Sequence, residues 1–380
     1  MNPIQQLHTE QDQSVWQDDI SRALLANGAL QQAIESGIRG VTSNPSIFQK
    51  AIAGSDAYDE DIQAQLGEGK SAAEIFQTVA VKDIQDTCDL FRPIYDESNG
   101  TDGFVSIEVL PSLARDTEGT LENARDLWKA VDRPNVMIKV PGTSECVSAI
   151  RTLLTEGVNV NVTLLFSLAN YERVAVAFIE ALEERQAKGL PVSGIASVAS
   201  FFVSRVDTLA DKQLDGVIAE GGANADLAAS LKGKVAVANA QLAYETFLNL
   251  FKGDRFAPLA AAGAQVQRPL WASTGTKNKA YSDVLYVETL IGPETVNTAP
   301  VPTIEAFLDH GKVARTVDAD LAGAHQVLDD LATVGLSIDQ ITSQLEEEGI
   351  ATFITSYDGL LADVEAKREA LAGAAAGAAS

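Results

Sequence analysis

Hydrophobic positions along this chain fall into two rhythms. Short, densely apolar runs rich in β-branched and aromatic residues alternate with longer segments in which apolar residues return every three or four positions. The short runs are SVWQD (14–18), IRGVTSN (38–44), FVSIEV (104–109), NVMIKV (135–140), VNVTLLF (160–166), ASVASFFV (196–203) and PLWAST (269–274), with ETVNTAP (294–300) a weaker eighth. Runs of this kind read as strands buried on both faces, and strands separated by helices must pair in parallel. About eight such units predict a single (β/α)₈ TIM barrel, with a doubly wound sheet as the alternative. The intervals 45–103 and 204–268 are long enough for additional helices that decorate one barrel. From Asp318 to Leu371 the pattern is helical throughout, a C-terminal extension to a unit spanning 1–371, and the Ala/Gly stretch 372–380 predicts a disordered tail.

Lys139 breaks one of these runs. It sits among Val136, Met137, Ile138 and Val140, where an ammonium without water or a partner is costly. Polar residues stand near the C-terminal ends of the other strands as well: Asp18, Asn44, Glu108, Asn161 with Thr163, Ser200 and Ser273. In a (β/α)₈ barrel those ends face one pocket, so the set would converge. Taken singly, each of these reads more simply as a cap or turn residue, Asn44 and Asp18 as helix caps among them. For Lys139 two readings stand side by side. Burial of a lysine favours the neutral amine, which attacks carbonyls and forms a Schiff base; the other reading is a supportive ion pair with Glu108.

Composition narrows the chemistry. With 53 acidic against 28 basic residues the formal charge is −25, which disfavours nucleic acid and anionic membrane surfaces as partners and requires a local basic pocket for any phosphorylated substrate. No apolar run reaches the length of a membrane span, and the N-terminus lacks the features of an export signal. Two cysteines, Cys88 and Cys146, make no disulfide framework and read as small core residues, so a cytoplasmic setting is expected. His8, His310 and His325 lie outside the strand cores, which leaves no histidine triad or metal cluster, and no Gly-rich phosphate loop is present. Trp16, Trp128 and Trp271 read as core anchors.

The segments GVTSNPSIF (40–48), VMIKVPGT (136–143), NVNVTLLFS (159–167) and WASTGTKN (271–278) resemble the transaldolase family, over about Val15 to Pro302. The resemblance implies a class I aldolase barrel that moves a dihydroxyacetone unit between sugar phosphates without metal or organic cofactor. It implies that Lys139 forms the imine, that Asp18 exchanges the donor C4 hydroxyl proton, with Asp19 the alternative by one position, and that Glu108 works through a water held with Thr163. Asn44, Asn161 and Ser200 match groups that hold donor hydroxyls. Arg205 matches an arginine that binds the distal phosphate, with Ser273 beside it. A second basic residue of many relatives is replaced by Gly275, and Lys277 is its substitute. The nearest rival is an aldolase that uses free dihydroxyacetone, against which Phe202 and Glu108 argue; a silent sugar-phosphate-binding barrel is the other. The sequence leaves monomer and homodimer both open.

Overall fold

The computed structural model describes residues 1–66 and 69–378. Seven strands form one parallel sheet: β1 (Gln13–Gln17), β2 (Val105–Glu108), β3 (Val136–Pro141), β4 (Val160–Leu165), β5 (Ser197–Phe202), β6 (Arg268–Ala272) and β7 (Thr295–Ala299). Their order is β1-β7-β6-β5-β4-β3-β2. Each lies in one of the apolar runs, and nearly every strand residue is buried, as expected when helices cover a parallel sheet. The outward-facing valines, isoleucines and leucines pack under the Ala72–Glu97, Thr117–Val131, Leu168–Ala187, Ser204–Glu220 and Val235–Phe251 helices, all of which contribute to one hydrophobic core.

Residues 38–44, expected as a regular strand, are not one. Only Val41 bridges, in parallel, to Gln17 of β1 on one side and to Val105 of β2 on the other. The backbone nevertheless satisfies both edges: Gln17 N–H donates to the Gly40 carbonyl and Thr42 N–H to Gln17, while Val41 N–H donates to Phe104 and Ser106 N–H to Val41. Two local features cut the ladder short. Gly40 lies flat on Trp16, where a Cβ would come within 2.7 Å of the indole, and at Asn44 the chain turns into the Pro45–Ala53 helix that Asn44 caps. The 294–300 run, the weakest on paper, is the regular strand β7.

At the N-terminal ends of the strands Asp102 is a buried organising charge. It accepts hydrogen bonds from Ser14 Oγ, from Trp16 Nε1 at 2.9 Å and from Arg39 Nε at 2.8 Å, and Arg268 stands 3.6 Å away. These donors tie β1, the Val41 segment, β2 and β6 together at the face opposite the candidate site. The histidines stay outside it: His310 and His325 pair with surface carboxylates. Trp16 and Trp271 are fully buried, Trp128 partly, and both cysteines are buried and unbonded.

The C-terminal extension ends in one helix, Ile338–Ala378; of the stretch expected as a tail, residues 379–380 lie outside the described residues. This helix is clasped to the Pro45–Ala53 helix by Ser46 to Ser356 at 2.7 Å and Gln49 to Asp363 at 3.2 Å, and to Asp59 by Lys367 at 2.7 Å. Its Gly349 seats against Leu164 and Phe166 at the end of β4. Among the described residues no helix is long and apolar enough to cross a membrane.

Removing the Asp102 carboxylate leaves the buried Trp16 indole N–H and the Ser14 hydroxyl without their acceptor and Arg39 without its ion-pair partner. Asp102→Ala should lower unfolding free energy by about 3 kcal/mol in urea titrations; a change within experimental error would show that the charge cluster is dispensable.

Candidate active site

Parallel register places Lys139 of β3 between Glu108 of β2 and Asn161 of β4. Because side chains alternate along a strand, these three share the inward face. The Lys139 side chain is 6% exposed and that of Glu108 5%, with Nζ 3.7 Å from Glu108 Oε2. Nζ also donates to the Ser43 carbonyl at 3.1 Å. A carbonyl and a carboxyl therefore meet the ammonium inside the protein.

Burial pushes the Glu108 carboxyl up to about 7, with Lys139 pulling it down and Asp18 pushing it further up. Neither Glu108 oxygen has a hydrogen-bond partner among the described residues, and neither does the hydroxyl of buried Thr163. Thr163 lies on β4 beside Pro141, two positions beyond Lys139 along β3. A carboxyl that changes protonation near neutrality, with oxygens left over, is suited to passing a proton to and from a reacting group.

Asp18 follows β1 directly. Its Oδ1 accepts from Thr42 Oγ1 at 2.6 Å, and Thr42 Oγ1 lies 2.7 Å from Thr298 Oγ1. Since the Thr42 proton is committed to the carboxylate, Thr298 donates to Thr42, and the two hydroxyls orient Asp18 from both flanking segments. Its neighbour Asp19 is held above the ordinary carboxylate range by burial and by Asp18. The Asp18 charge reaches both Glu108 and Arg205, so it stands between the lysine side and the arginine side of the site.

A second relay crosses the sheet below Lys139. Ser200 donates to Asn161 Oδ1 at 2.7 Å, and Asn161 Nδ2 donates to Ser106 Oγ at 3.0 Å. This fixes the Asn161 amide and leaves one of its N–H groups uncommitted. Asn44 is brought near through its neighbour Ser43, and its Oδ1 accepts from Ile47 N–H at 3.0 Å. The capping reading of Asn44 therefore holds for its oxygen, while its NH₂ is not needed for the cap.

Arg205, Phe202, Ser273 and Lys277 lie on the β5 and β6 side. The Arg205 guanidinium stands over the Phe202 ring at 5.3 Å, and Phe202 packs on Phe166 at 5.1 Å. Burial lowers the Arg205 pKa, with Asp18 and Glu348 opposing; among the described residues its donors have no hydrogen-bond or ion-pair partner. Ser273 contacts Ser204, beside Arg205, at 3.1 Å between hydroxyls. Lys277 lies on an exposed loop, but its ammonium folds back to 3.8 Å from the point a Gly275 Cβ would occupy. The space left by the missing side chain at 275 is thus next to a cation. Two strand ends are strained: Leu164 and Ser273 have φ of 58° and 55°, and β4 shifts register between Val162 and Leu165. For leucine this backbone costs about 1–2 kcal/mol, a cost that recurs beside functional sites.

Among the described residues no group of three or more His, Cys, Asp or Glu side chains is arranged to hold a metal ion. Against known proteins, the family model described as Transaldolase/Fructose-6-phosphate aldolase matches residues 15–364. The chain belongs to this family. The match takes in most of the C-terminal helices, well past the Pro302 limit of the motif resemblance. Curated relatives are similar over nearly their whole length. A protein named Transaldolase from Trichodesmium erythraeum is 48% identical over 362 residues, covering 93% of this chain and 95% of its own. Proteins of the same name from Thiobacillus denitrificans and Mycobacterium tuberculosis are 46% and 45% identical, each over 93% of this chain and over 97% and 94% of their own.

Sequence reasoning missed four contributors: Thr42 and Thr298 on Asp18, Ser106 on Asn161, and the Ser43 carbonyl on Lys139. Ser106 was findable, since it lies two residues before Glu108 and so on the same face. A carbonyl has no sequence signature.

Glu108 has a consequence for stability. Between its ordinary 4.5 and about 7 the folded state keeps a proton that the unfolded chain has released, so stability falls as pH rises through that window and the loss is complete above it. Glutamine does not titrate. The stability of Glu108→Gln relative to the parent should therefore rise by about 3 kcal/mol between pH 4.5 and about pH 8, measured by denaturant unfolding; a difference independent of pH contradicts the buried-carboxyl account.

Proposed function

We propose that this chain is a transaldolase that carries a dihydroxyacetone unit from a ketose phosphate, sedoheptulose 7-phosphate or fructose 6-phosphate, to an aldose phosphate, glyceraldehyde 3-phosphate or erythrose 4-phosphate. The observation that carries the reading is a lysine buried at the strand ends with a carboxyl of pKa about 7 at 3.7 Å, in a chain of this family. The Val41 segment serves as the eighth member of a closed (β/α)₈ barrel, which its backbone bonds to both β1 and β2 support. Residues 1–371 act as one unit, at work in the cytoplasm.

Lys139 attacks C2 of the ketose. Glu108, through a water shared with Thr163, gives the carbinolamine hydroxyl the proton it needs to leave as water, and an imine remains. Asp18, oriented by Thr42, takes the C4 hydroxyl proton. The C3–C4 bond then breaks, its electrons flow into the protonated imine, and the aldose phosphate departs while the three-carbon unit stays as an enamine. An acceptor aldehyde adds by the reverse path, with Asp18 returning the proton to the new hydroxyl. Asn44, Asn161 and Ser200 hold the donor hydroxyls. Arg205, Ser273 and Lys277 receive the phosphate.

The same family description covers aldolases that use free dihydroxyacetone. A glutamate at 108 and a phenyl ring at 202 favour transfer: the ring offers the enamine no proton, so it waits for an aldehyde.

With fructose 6-phosphate and erythrose 4-phosphate, turnover should appear as glyceraldehyde 3-phosphate in a coupled assay, with little free dihydroxyacetone; dihydroxyacetone as the main product would favour the aldolase. Asp18→Asn should lose about 10² or more in kcat with the fold retained, whereas an Asp19→Asn loss in its place would move the proton-transfer role by one residue. Arg205→Ala should cut kcat/KM for glyceraldehyde 3-phosphate by roughly thirtyfold, about 2 kcal/mol, and spare glyceraldehyde. Lys277→Ala should do so more weakly. Equal losses on both aldehydes would place the phosphate elsewhere.

A further inference from the structure

The loop after β6, residues 273–284, carries Ser273 and Lys277, and residues 277–280 in its middle are exposed. Its far end is nonetheless fastened. Tyr281 OH donates to Asp211 Oδ2 at 2.6 Å, and buried Tyr286 OH donates to Asp207 Oδ2 at 2.8 Å. Its near end is fastened by the Ser273 contact to Ser204. Ser204, Asp207 and Asp211 follow a three-then-four spacing, one stripe of the Ser204–Glu220 helix, and Arg205 is on the first turn of that same helix. Both aspartates are buried.

Each carboxylate has two duties. Asp207 Oδ1 accepts from Ala236 N–H at 2.7 Å and Asp211 Oδ1 from Gly233 N–H at 3.0 Å, where the Val235–Phe251 helix begins. One oxygen of each thus supports a helix start and the other holds the loop. The Tyr281 ring also lies on Gly233, where a Cβ would come within 2.8 Å of its Cζ. The helix-supporting duty would account for the aspartates alone; it gives no reason for the tyrosines.

We infer that Tyr281 and Tyr286 are positioning residues for phosphate recognition, which lock the Lys277 loop to the Arg205 helix so that both cations are presented as one rigid unit. The inference rests on the proposed phosphate site. A loop free at its far end would have to be ordered by each incoming phosphate, and that ordering would be taken from binding. Tethered in advance, it costs the substrate nothing. In a chain of charge −25, where the overall field opposes an anion, a preorganised pair of cations matters more.

The test uses Tyr281→Phe and Tyr286→Phe, which keep the rings and remove the donated protons. KM for glyceraldehyde 3-phosphate should rise about five- to tenfold in each, the size of one ordinary hydrogen bond. The kcat should stay within about twofold and KM for glyceraldehyde should not move. Amide hydrogen exchange over 276–283 should quicken. If Tyr286→Phe fails to fold, Tyr281→Phe, at a partly exposed position, decides alone. A purely structural tyrosine would alter both aldehydes alike or neither, and either result overturns the inference. Arg205→Ala in the same assay separates the two layers. A phosphate-selective loss there without one in Tyr281→Phe overturns the positioning role only; no selective loss in Arg205→Ala overturns the phosphate site and this inference with it.

Discussion

An ammonium group inside a parallel sheet must be met by opposite charge or by carbonyl oxygen, and here the Ser43 carbonyl and the Glu108 carboxyl meet Lys139. The rest of the arrangement follows from that need. Ser43 belongs to the segment that joins β1 to β2, so this segment must approach the sheet closely, and Gly40 on Trp16 permits it. Glu108 must stand beside Lys139 in register, which the β2 and β3 pairing provides. The carboxyl in turn is buried for the lysine's sake, and burial brings its pKa to about 7. One ion pair thus yields both a sheltered amine and an acid that can exchange its proton near neutral pH. Its 3.7 Å separation is longer than a hydrogen bond, so each group keeps capacity for a third partner.

The opposite ends of the strands divide the work. At the N-terminal face Asp102 gathers Ser14, Trp16, Arg39 and Arg268 into a fully used cluster that holds segments together. At the C-terminal face the polar groups are incompletely used: both oxygens of Glu108, the Thr163 hydroxyl and the Arg205 guanidinium lack protein hydrogen bonds among the described residues. Stability favours the first arrangement and chemistry requires the second. The left-handed backbone of Leu164 and Ser273 lies on the same side, held by packing from Gly349 of the last helix and by the Ser204 contact. The C-terminal helix is therefore part of the wall of the site.

Much of this was legible in the chain because parallel strands buried on both faces leave uninterrupted apolar runs. The failures have local causes. The 38–44 run reads as a strand from its apolar start, but Gly40 and the Asn44 cap confine pairing to a single bridge. The 294–300 run looked weak because two of its helix-facing positions are Thr295 and Asn297, polar residues fully buried against Gln13 and Thr274. Lys139, Glu108 and Asn161 stood out since each is a polar residue in a strand that is otherwise apolar. The tethers of the β6 loop could not be read at all: Tyr281 and Tyr286 lie 70 and 79 residues from their aspartates, and tertiary structure alone brings them together.

Lys139 is the nucleophile of the proposed reaction, and trapping tests this most directly. The protein incubated with fructose 6-phosphate and borohydride should be irreversibly inactivated, and peptide mapping by mass spectrometry should find one reduced three-carbon adduct, on Lys139. An adduct on another lysine, or an enzyme still fully active after the treatment, would contradict it.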